Sequence, residues 1–291
     1  MTAIEEAGPI VKWVGGKGQL KEVILKEFYR LHPDKITRYY EPFAGGLSVF
    51  FALVAARRIG SALLSDTNHE LVILYQQVRK DPKPLIRHLK RLSKEHGFSE
   101  EAYYAIRAQC PKSPAAIAAR FLYLNRTGFN GLYRVNKSGD FNVPYGHHKK
   151  PPRVLNEDAL KVAHLALQCA DIIIGPFQPM IGTALHEGHG VLYLDPPYWP
   201  TRPTASFTAY TPFGFGQVQQ VDLARVFQSL THAGMSALLS NSDVPETREL
   251  YKDFVIKKVT ARRNINSDGQ KRGPVNELLV ESRYKQKKKV A

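Results

Sequence analysis

The chain has 291 residues, 43% of them apolar, and carries 41 Lys/Arg against 26 Asp/Glu for a net charge of +15. That length suits one large or two modest domains with a full core. Two cysteines, Cys110 and Cys169, exclude a disulfide framework and a cysteine-based zinc site, and no metal is expected.

Residues 1–9 contain Glu5 and Glu6 and no apolar run, so no signal peptide is expected. No window approaches the roughly 18 apolar residues of a membrane span. The expectation is a soluble, cytoplasmic protein without a membrane partner. Its charge is uneven: residues 70–165 hold 17 Lys/Arg against 8 Asp/Glu, residues 257–291 hold 11 against 3, and the rest is near neutral. A polyanion such as nucleic acid is the natural partner for that layout.

In chain order, Lys12-Trp13-Val14-Gly15-Gly16-Lys17-Gly18 reads as a glycine-rich loop feeding an amphipathic helix over 20–31. Gln19 and Leu20 do not supply the Lys-Ser/Thr of a nucleotide-triphosphate loop, which leaves a backbone able to approach a ligand closely. Glu41-Pro42-Phe43-Ala44-Gly45-Gly46 reads as a strand, a tight turn and a helix over 47–57. A short apolar strand over 62–66 then ends in Asp66, about 20 residues after the glycines, where nucleotide-binding sheets hold a ribose. Asp66 would also serve as a capping acid; behind the glycine turn the ligand role is favoured. Asn68 should cap a helix reaching residue 79.

The βα rhythm stops after Asp81. Helices are predicted over 84–96, 99–109 and 113–125, with Lys, Arg and His on their polar faces. The stretch 124–146 then interleaves aromatic, Asn, Arg and Gly, with a turn at 137–140, and predicts a β-hairpin. Such a hairpin can enter a DNA groove: Arg forks to guanine, Asn pairs adenine, and a ring wedges into an opened step. An ordinary surface hairpin is the competing reading. His147-His148-Lys149-Lys150 reads as a solvated basic turn. A helix over 156–170 leads back to a buried strand over 171–175.

The strand Val191–Leu194 comes next and stops at Asp195-Pro196-Pro197-Tyr198, because proline cannot continue a central ladder. A carboxylate at the carboxyl end of a strand lies where open α/β sheets bind ligands. An acid, a carbonyl on a rigid turn and a flat ring together can hold an amino group on a planar base. A strand end with a proline turn and a core tyrosine is the alternative. Residues 199–216 read as a long loop over the site. A helix over 217–233, a strand over 236–240, a helix over 244–252 and strands over 254–260 and 277–282 complete the sheet. A basic loop over 262–272 and a basic tail over 285–291 remain.

The order of these motifs resembles the Dam-type (α-group, D12 class) DNA adenine-N6 methyltransferases, over roughly residues 10–284. The Asp-Pro-Pro-Tyr tetrapeptide alone is compatible with several amino-methyltransferases; Asn-Gly-Leu-Tyr-Arg-Val-Asn with Phe-Asn-Val-Pro-Tyr-Gly is more specific. The resemblance implies a Rossmann-like α/β catalytic domain (1–69 and 166–284) with an inserted, mainly helical recognition domain (70–165). It implies S-adenosylmethionine as cofactor, met by Trp13, Lys17, Glu41, Phe43, Gly45, Asp66, Phe177 and Asp195.

It further implies Asp195, Pro196 and Tyr198 as catalytic groups, and Lys12, Phe129, Asn130 and Arg134 as contacts to duplex DNA. Residues 129–134 match most closely the relatives that modify adenine in GATC. A restriction endonuclease acting on the same sites, without a stable complex, is a compatible partner. One departure is Pro176 before Phe177, where relatives often carry an acid. The competing functions are an RNA adenine methyltransferase and a DNA-binding protein with a vestigial catalytic site.

Overall fold

The computed structural model describes residues 3–200, 215–262 and 274–284. The predicted loop over 199–216 falls mostly outside them, as do nearly all of the 262–272 loop and the basic tail.

Seven strands form one sheet: β1 (Ile36–Glu41), β2 (Ile59–Asp66), β3 (Ala170–Ile174), β4 (Val191–Leu194), β5 (Ser236–Ser242), β6 (Phe254–Arg262) and β7 (Pro274–Tyr284), in the order β3-β2-β1-β4-β5-β7-β6. The first five run parallel, and β7 pairs antiparallel with both β5 and β6. From β1 the chain builds toward one edge through β2 and β3; it then returns to add β4 on the opposite side of β1. The carboxyl ends of β1 and β4 therefore lie side by side at a reversal of strand order, the crevice in which such sheets bind ligands.

Side chains alternate between two apolar layers, as the two-residue period of a strand requires. Tyr39, Ala62, Leu64, Val191, Tyr193 and Leu238 face one cluster, while Tyr40, Leu63, Leu192, Leu194 and Leu239 face the other. The helices are α1 (Lys21–Leu31), α2 (Ser48–Ala55), α3 (His69–Lys80), α4 (Pro82–His96), α5 (Glu100–Arg107), α6 (Pro114–Thr127), α7 (Glu157–Leu167), α8 (Phe177–Glu187), α9 (Gln217–His232) and α10 (Pro245–Leu250). The expected Rossmann-like α/β architecture is thus present. Local signals start several helices: Asn68 Oδ1 accepts from Leu71 N–H at 3.1 Å, and Asp81, Ser99 and Ser113 cap the next three in the same way. Helices α4–α6 lie between β2 and β3 in sequence, with α6 packed on α3 and α4.

Three expectations change. The strand over 171–175 is an edge strand, bonded only to β2, so the run Ile172–Ile174 is not buried throughout. Ile172 is inside, whereas Ile173 and Ile174 are 42% and 50% exposed. The β-hairpin over 124–146 is not a ladder. It is an out-and-back excursion held by two isolated bridges, Gly128↔Tyr145 and Val135↔Phe141, closed by a turn in which Gly139 N–H reaches Asn136 C=O at 3.0 Å. Regular pairing fails because residues 129–131 coil into a one-turn 3₁₀ segment with Asn130 left-handed (φ +54°) and because Pro144 has no N–H. Finally, α8 is a helix for which the sequence reading assigns no element, although Phe177, Met180, Ile181 and Ala184 bury at helical spacing.

Candidate active site

Strand β4 ends where its ladder does, and Asp195 emerges beside the carboxyl end of β1. Lys17 Nζ lies 2.8 Å from Asp195 Oδ1, donates to Gly15 C=O at 2.6 Å, and sits 4.7 Å above the centroid of the Tyr198 ring. Tyr198 Oη in turn donates to Glu277 Oε2, on β7, at 2.6 Å. Among the described residues no donor other than Lys17 meets the Asp195 carboxylate. The Asp195 side chain is 18% exposed. Dense packing around the carboxyl pushes its pKa up to about 6, with Lys17 pulling it down and Glu277 adding a smaller upward push.

Glu41 closes β1 in the same pocket. It is 3% exposed and accepts from Tyr39 Oη at 2.9 Å. Burial holds it well above the ordinary carboxyl range, the Tyr39 hydrogen bond opposes that, and the neighbouring Asp195 charge adds to it. Burial likewise pushes the Tyr198 phenol up, reinforced by the charges of Asp195 and Glu277. Asp195 and Glu41 thus lie beside one ammonium, with Glu277 reached through Tyr198, in a pocket with more acceptors than donors.

The Gly45–Gly46 turn forms the wall beside it. Gly45 N–H donates to Asp66 Oδ2 at 2.9 Å, and its carbonyl accepts from Tyr75 Oη at 2.7 Å. Gly45 is left-handed (φ +45°), and a Cβ there would fall 2.8 Å from Trp13 Nε1. The turn therefore needs glycine for its backbone and for the indole lying against it. Asp66 also accepts from Asn68 N–H at 2.9 Å, so each of its oxygens is engaged by backbone; it braces the turn and the start of α3. At the far side, Phe43 lies tilted against Phe177 and edge-on to Phe215, with ring centroids 5.4 and 5.7 Å away. Phe177 is buried at the start of α8, and Pro176 caps that helix without a side-chain bond.

The residues expected to meet DNA lie on a separate, exposed feature. Phe129 is 42% exposed; Asn130 and Arg134 are also exposed. Arg134 is oriented by Asn142, Nε to Oδ1 at 2.7 Å. Lys12 joins them through Asn125 on α6, whose Oδ1 accepts from Lys12 N–H at 2.8 Å and whose Nδ2 donates to Lys12 C=O at 2.7 Å. A Cβ on Gly131 would overlap the Lys12 side chain. Trp13, the next residue, stacks on Tyr133 (6.2 Å, 25° between planes) while resting on the Gly45 turn. One short segment thus ties the Asp195 pocket to the exposed excursion.

Glu277, Asn125, Gln220 and Asn241 are parts of this arrangement that the sequence reading does not single out. Only the polar trio Ser240-Asn241-Ser242, closing an otherwise apolar strand, carried a local signal for any of them. Among the described residues no three His, Cys, Asp or Glu side chains gather as a metal site, and no helix is long and apolar enough to cross a membrane.

The sequence that builds this site has known counterparts. A family model for the D12 class N6 adenine-specific DNA methyltransferases matches residues 13–265, a span that includes the Gly45 turn, the excursion and Asp195-Pro-Pro-Tyr198. The chain is 38% identical to the type II methyltransferase M.MjaIII of Methanocaldococcus jannaschii, covering 94% of this chain and 99% of that protein. It is 36% identical to the DNA adenine methylase of Vibrio cholerae (93% and 94% covered) and to that of Escherichia coli K12 (93% of each). With its glycine turn, acid-ended strands and proline tetrapeptide in one crevice, the chain belongs to the D12 class N6 adenine-specific DNA methyltransferases.

Proposed function

We propose that this methyltransferase uses S-adenosylmethionine and modifies the exocyclic N6 of an adenine turned out of duplex DNA, with GATC as the recognition sequence. The observation that carries the reading is the meeting of Asp195, Lys17, Glu41 and Tyr198 in one pocket beside the Gly45 turn, at the crevice between β1 and β4. The pocket suits that cofactor. Its excess of buried acid matches a ligand bearing a sulfonium and an ammonium, and Phe43, half-buried and backed by Phe177, offers aromatic surface to an adenine. Trp13, Lys17, Glu41, Phe43, Gly45, Asp66, Phe177 and Asp195 are the residues that would hold it. S-adenosylmethionine supplies an electrophilic methyl group.

The chain's own groups orient the amine. Adenine's N6 lone pair is delocalised into the ring, which makes it a poor nucleophile. Asp195 accepts one N–H and the Pro196 carbonyl the other, which turns the lone pair out of conjugation and toward the methyl. Tyr198 stacks on the base, as enzymes acting on extruded bases require, and its tether to Glu277 fixes the ring. Positioning supplies much of the rate in an in-line displacement. Lys17 keeps Asp195 ionised at neutral pH, so no strong base is needed before transfer. A carboxyl near pKa 6 then takes the released proton more readily than an ordinary aspartate.

Residues 70–165 form the recognition domain in this reading. Phe129 wedges into the opened step, Asn130 meets the disrupted pair, Arg134 reads a base and Lys12 holds a phosphate. Sequencing that reports N6-methyladenine, on unmethylated DNA exposed to the enzyme, tests it. Modified adenines within GATC support it, and modified adenines only at other sequences refute the specificity.

A further inference from the structure

Behind the tetrapeptide lies a buried polar relay that the chemistry above does not use. Trp199 N–H donates to Asn241 Oδ1 at 3.1 Å; Asn241 Nδ2 donates to Gln220 Oε1 at 3.0 Å; Gln220 Nε2 donates to Pro197 C=O at 2.8 Å. Asn241 and Gln220 are 0% and 2% exposed. Ser242 supports the chain from the side, its Oγ donating to Trp199 C=O at 2.8 Å and its N–H to Asn241 Oδ1 at 2.9 Å.

The direction of the relay is forced. Trp199 N–H can only donate, so it meets the amide oxygen of Asn241 and leaves the Asn241 NH₂ facing Gln220. Gln220 must then present its oxygen to Asn241 and its NH₂ to Pro197, whose carbonyl can only accept. Neither amide can turn over without placing like against like in a site with no exposed surface, where an unpaired polar group costs most.

The relay occupies the second proline carbonyl and leaves the first one free: among the described residues no donor meets Pro196 C=O. We propose that Gln220 and Asn241 are positioning residues which, by pinning Pro197 C=O and Trp199 N–H, hold the Pro196 carbonyl toward the reacting amine. This rests on the reading of Asp195-Pro-Pro-Tyr198 given above. Neither side chain touches substrate; both act through the turn.

The test uses the full chain in single-turnover methyl transfer from S-adenosylmethionine to unmethylated plasmid DNA, enzyme in excess. Asn241→Asp keeps the size of the side chain and the oxygens that receive Trp199 and Ser242, but loses the donor to Gln220. Gln220→Leu removes the far end of the relay. Each should slow the transfer step by about 10²-fold, the cost of roughly an ångström of misplacement at the reacting centre. Affinity for cofactor, by calorimetry, and for DNA, by anisotropy, should stay within about twofold. The double variant should be no slower than the slower single, because one relay is broken only once.

A transfer rate within about twofold of wild type in folded Asn241→Asp, a loss in affinity rather than rate, or independent multiplying effects would each overturn the proposal. Asp195→Ala, run alongside, separates the two readings. If it is active, the tetrapeptide mechanism itself fails. If it is inactive while Asn241→Asp is fast, only the positioning role fails.

Discussion

The pocket at Asp195 and the excursion at Phe129–Arg134 are held in place by opposite means. Around Asp195 the neighbouring side chains each have a partner: Lys17 with Gly15 and Asp195, Tyr198 with Glu277, Glu41 with Tyr39, Gln220 with Asn241. The excursion is shaped mostly by local backbone instead, through two isolated bridges, a left-handed Asn130 and a turn at 136–140 tied by Asn136 Oδ1, and it leaves Phe129, Asn130 and Arg134 exposed. The difference matches the two tasks. Holding an amine for displacement tolerates little error and gains from a rigid, poorly hydrated surround. The proposed contact with a DNA groove needs side chains that stay exposed and can settle on a second molecule, with Arg134 pre-oriented by Asn142.

Substitutions on either side should break this contrast in different observables. The largest effect is expected for Asp195→Ala: methyl transfer should fall by roughly 10³-fold or more while duplex binding and the folded state persist. Loss of binding instead would mean that the two regions are not separable. Arg134→Ala should cost about 1–3 kcal/mol of base discrimination, read from rates on cognate and single-substituted duplexes, with cofactor affinity unchanged.

Acidity offers a third handle on the pocket alone. Only an ionised Asp195 can take the released proton, and it is also the stronger acceptor for an N–H; its pKa stands near 6, so the transfer rate should fall about tenfold per pH unit below that value. Because Lys17 is what lowers the Asp195 pKa, Lys17→Met should move the limb to higher pH at saturating cofactor. An unmoved limb would assign it to another group. The stability consequence has the opposite sign: a raised carboxyl pKa means the folded state binds the proton more tightly. This contribution to stability is largest at low pH and is lost as pH rises from the unfolded value near 3.8 through about 6.

A smaller effect is expected at the joint between the regions. Gly45→Ala meets both a left-handed backbone and the Trp13 indole and should destabilise by about 1–3 kcal/mol. Calorimetric unfolding measures it, and Gly15→Ala, left-handed but open around its Cβ, isolates the backbone part. The smallest is Lys12→Ala, which should weaken binding evenly across sequences and reduce the slope of affinity against salt by about one. A sequence-dependent loss would give Lys12 a reading role.

Much of this was legible in one dimension because it depends on local rules. Asn68 as a cap, Gly45 as a tight turn, Asp66 and Asp195 as strand-ending acids, and prolines that stop β4 each act within a few residues. Where a neighbour far along the chain decides, local rules failed. Ile172–Ile174 looks like an interior strand, and only the sheet order makes it an edge. The hairpin expected over 124–146 failed for a local reason instead: the left-handed turn at Asn130 and the missing N–H of Pro144 break the alternation, and no ladder forms.

The sequence by itself determined the family, the Rossmann-like α/β class, the proline tetrapeptide that stops β4 and the basic character of the middle block. These follow from residue type and short spacing. The tertiary structure alone decided which groups meet: that Lys17 neutralises Asp195, that Glu277 on a distant antiparallel strand tethers Tyr198, and that a glutamine and an asparagine fasten the proline turn from behind. Those pairings are set by strand order and burial, because a buried polar atom takes whichever partner the fold brings within reach, and its distance along the chain does not enter.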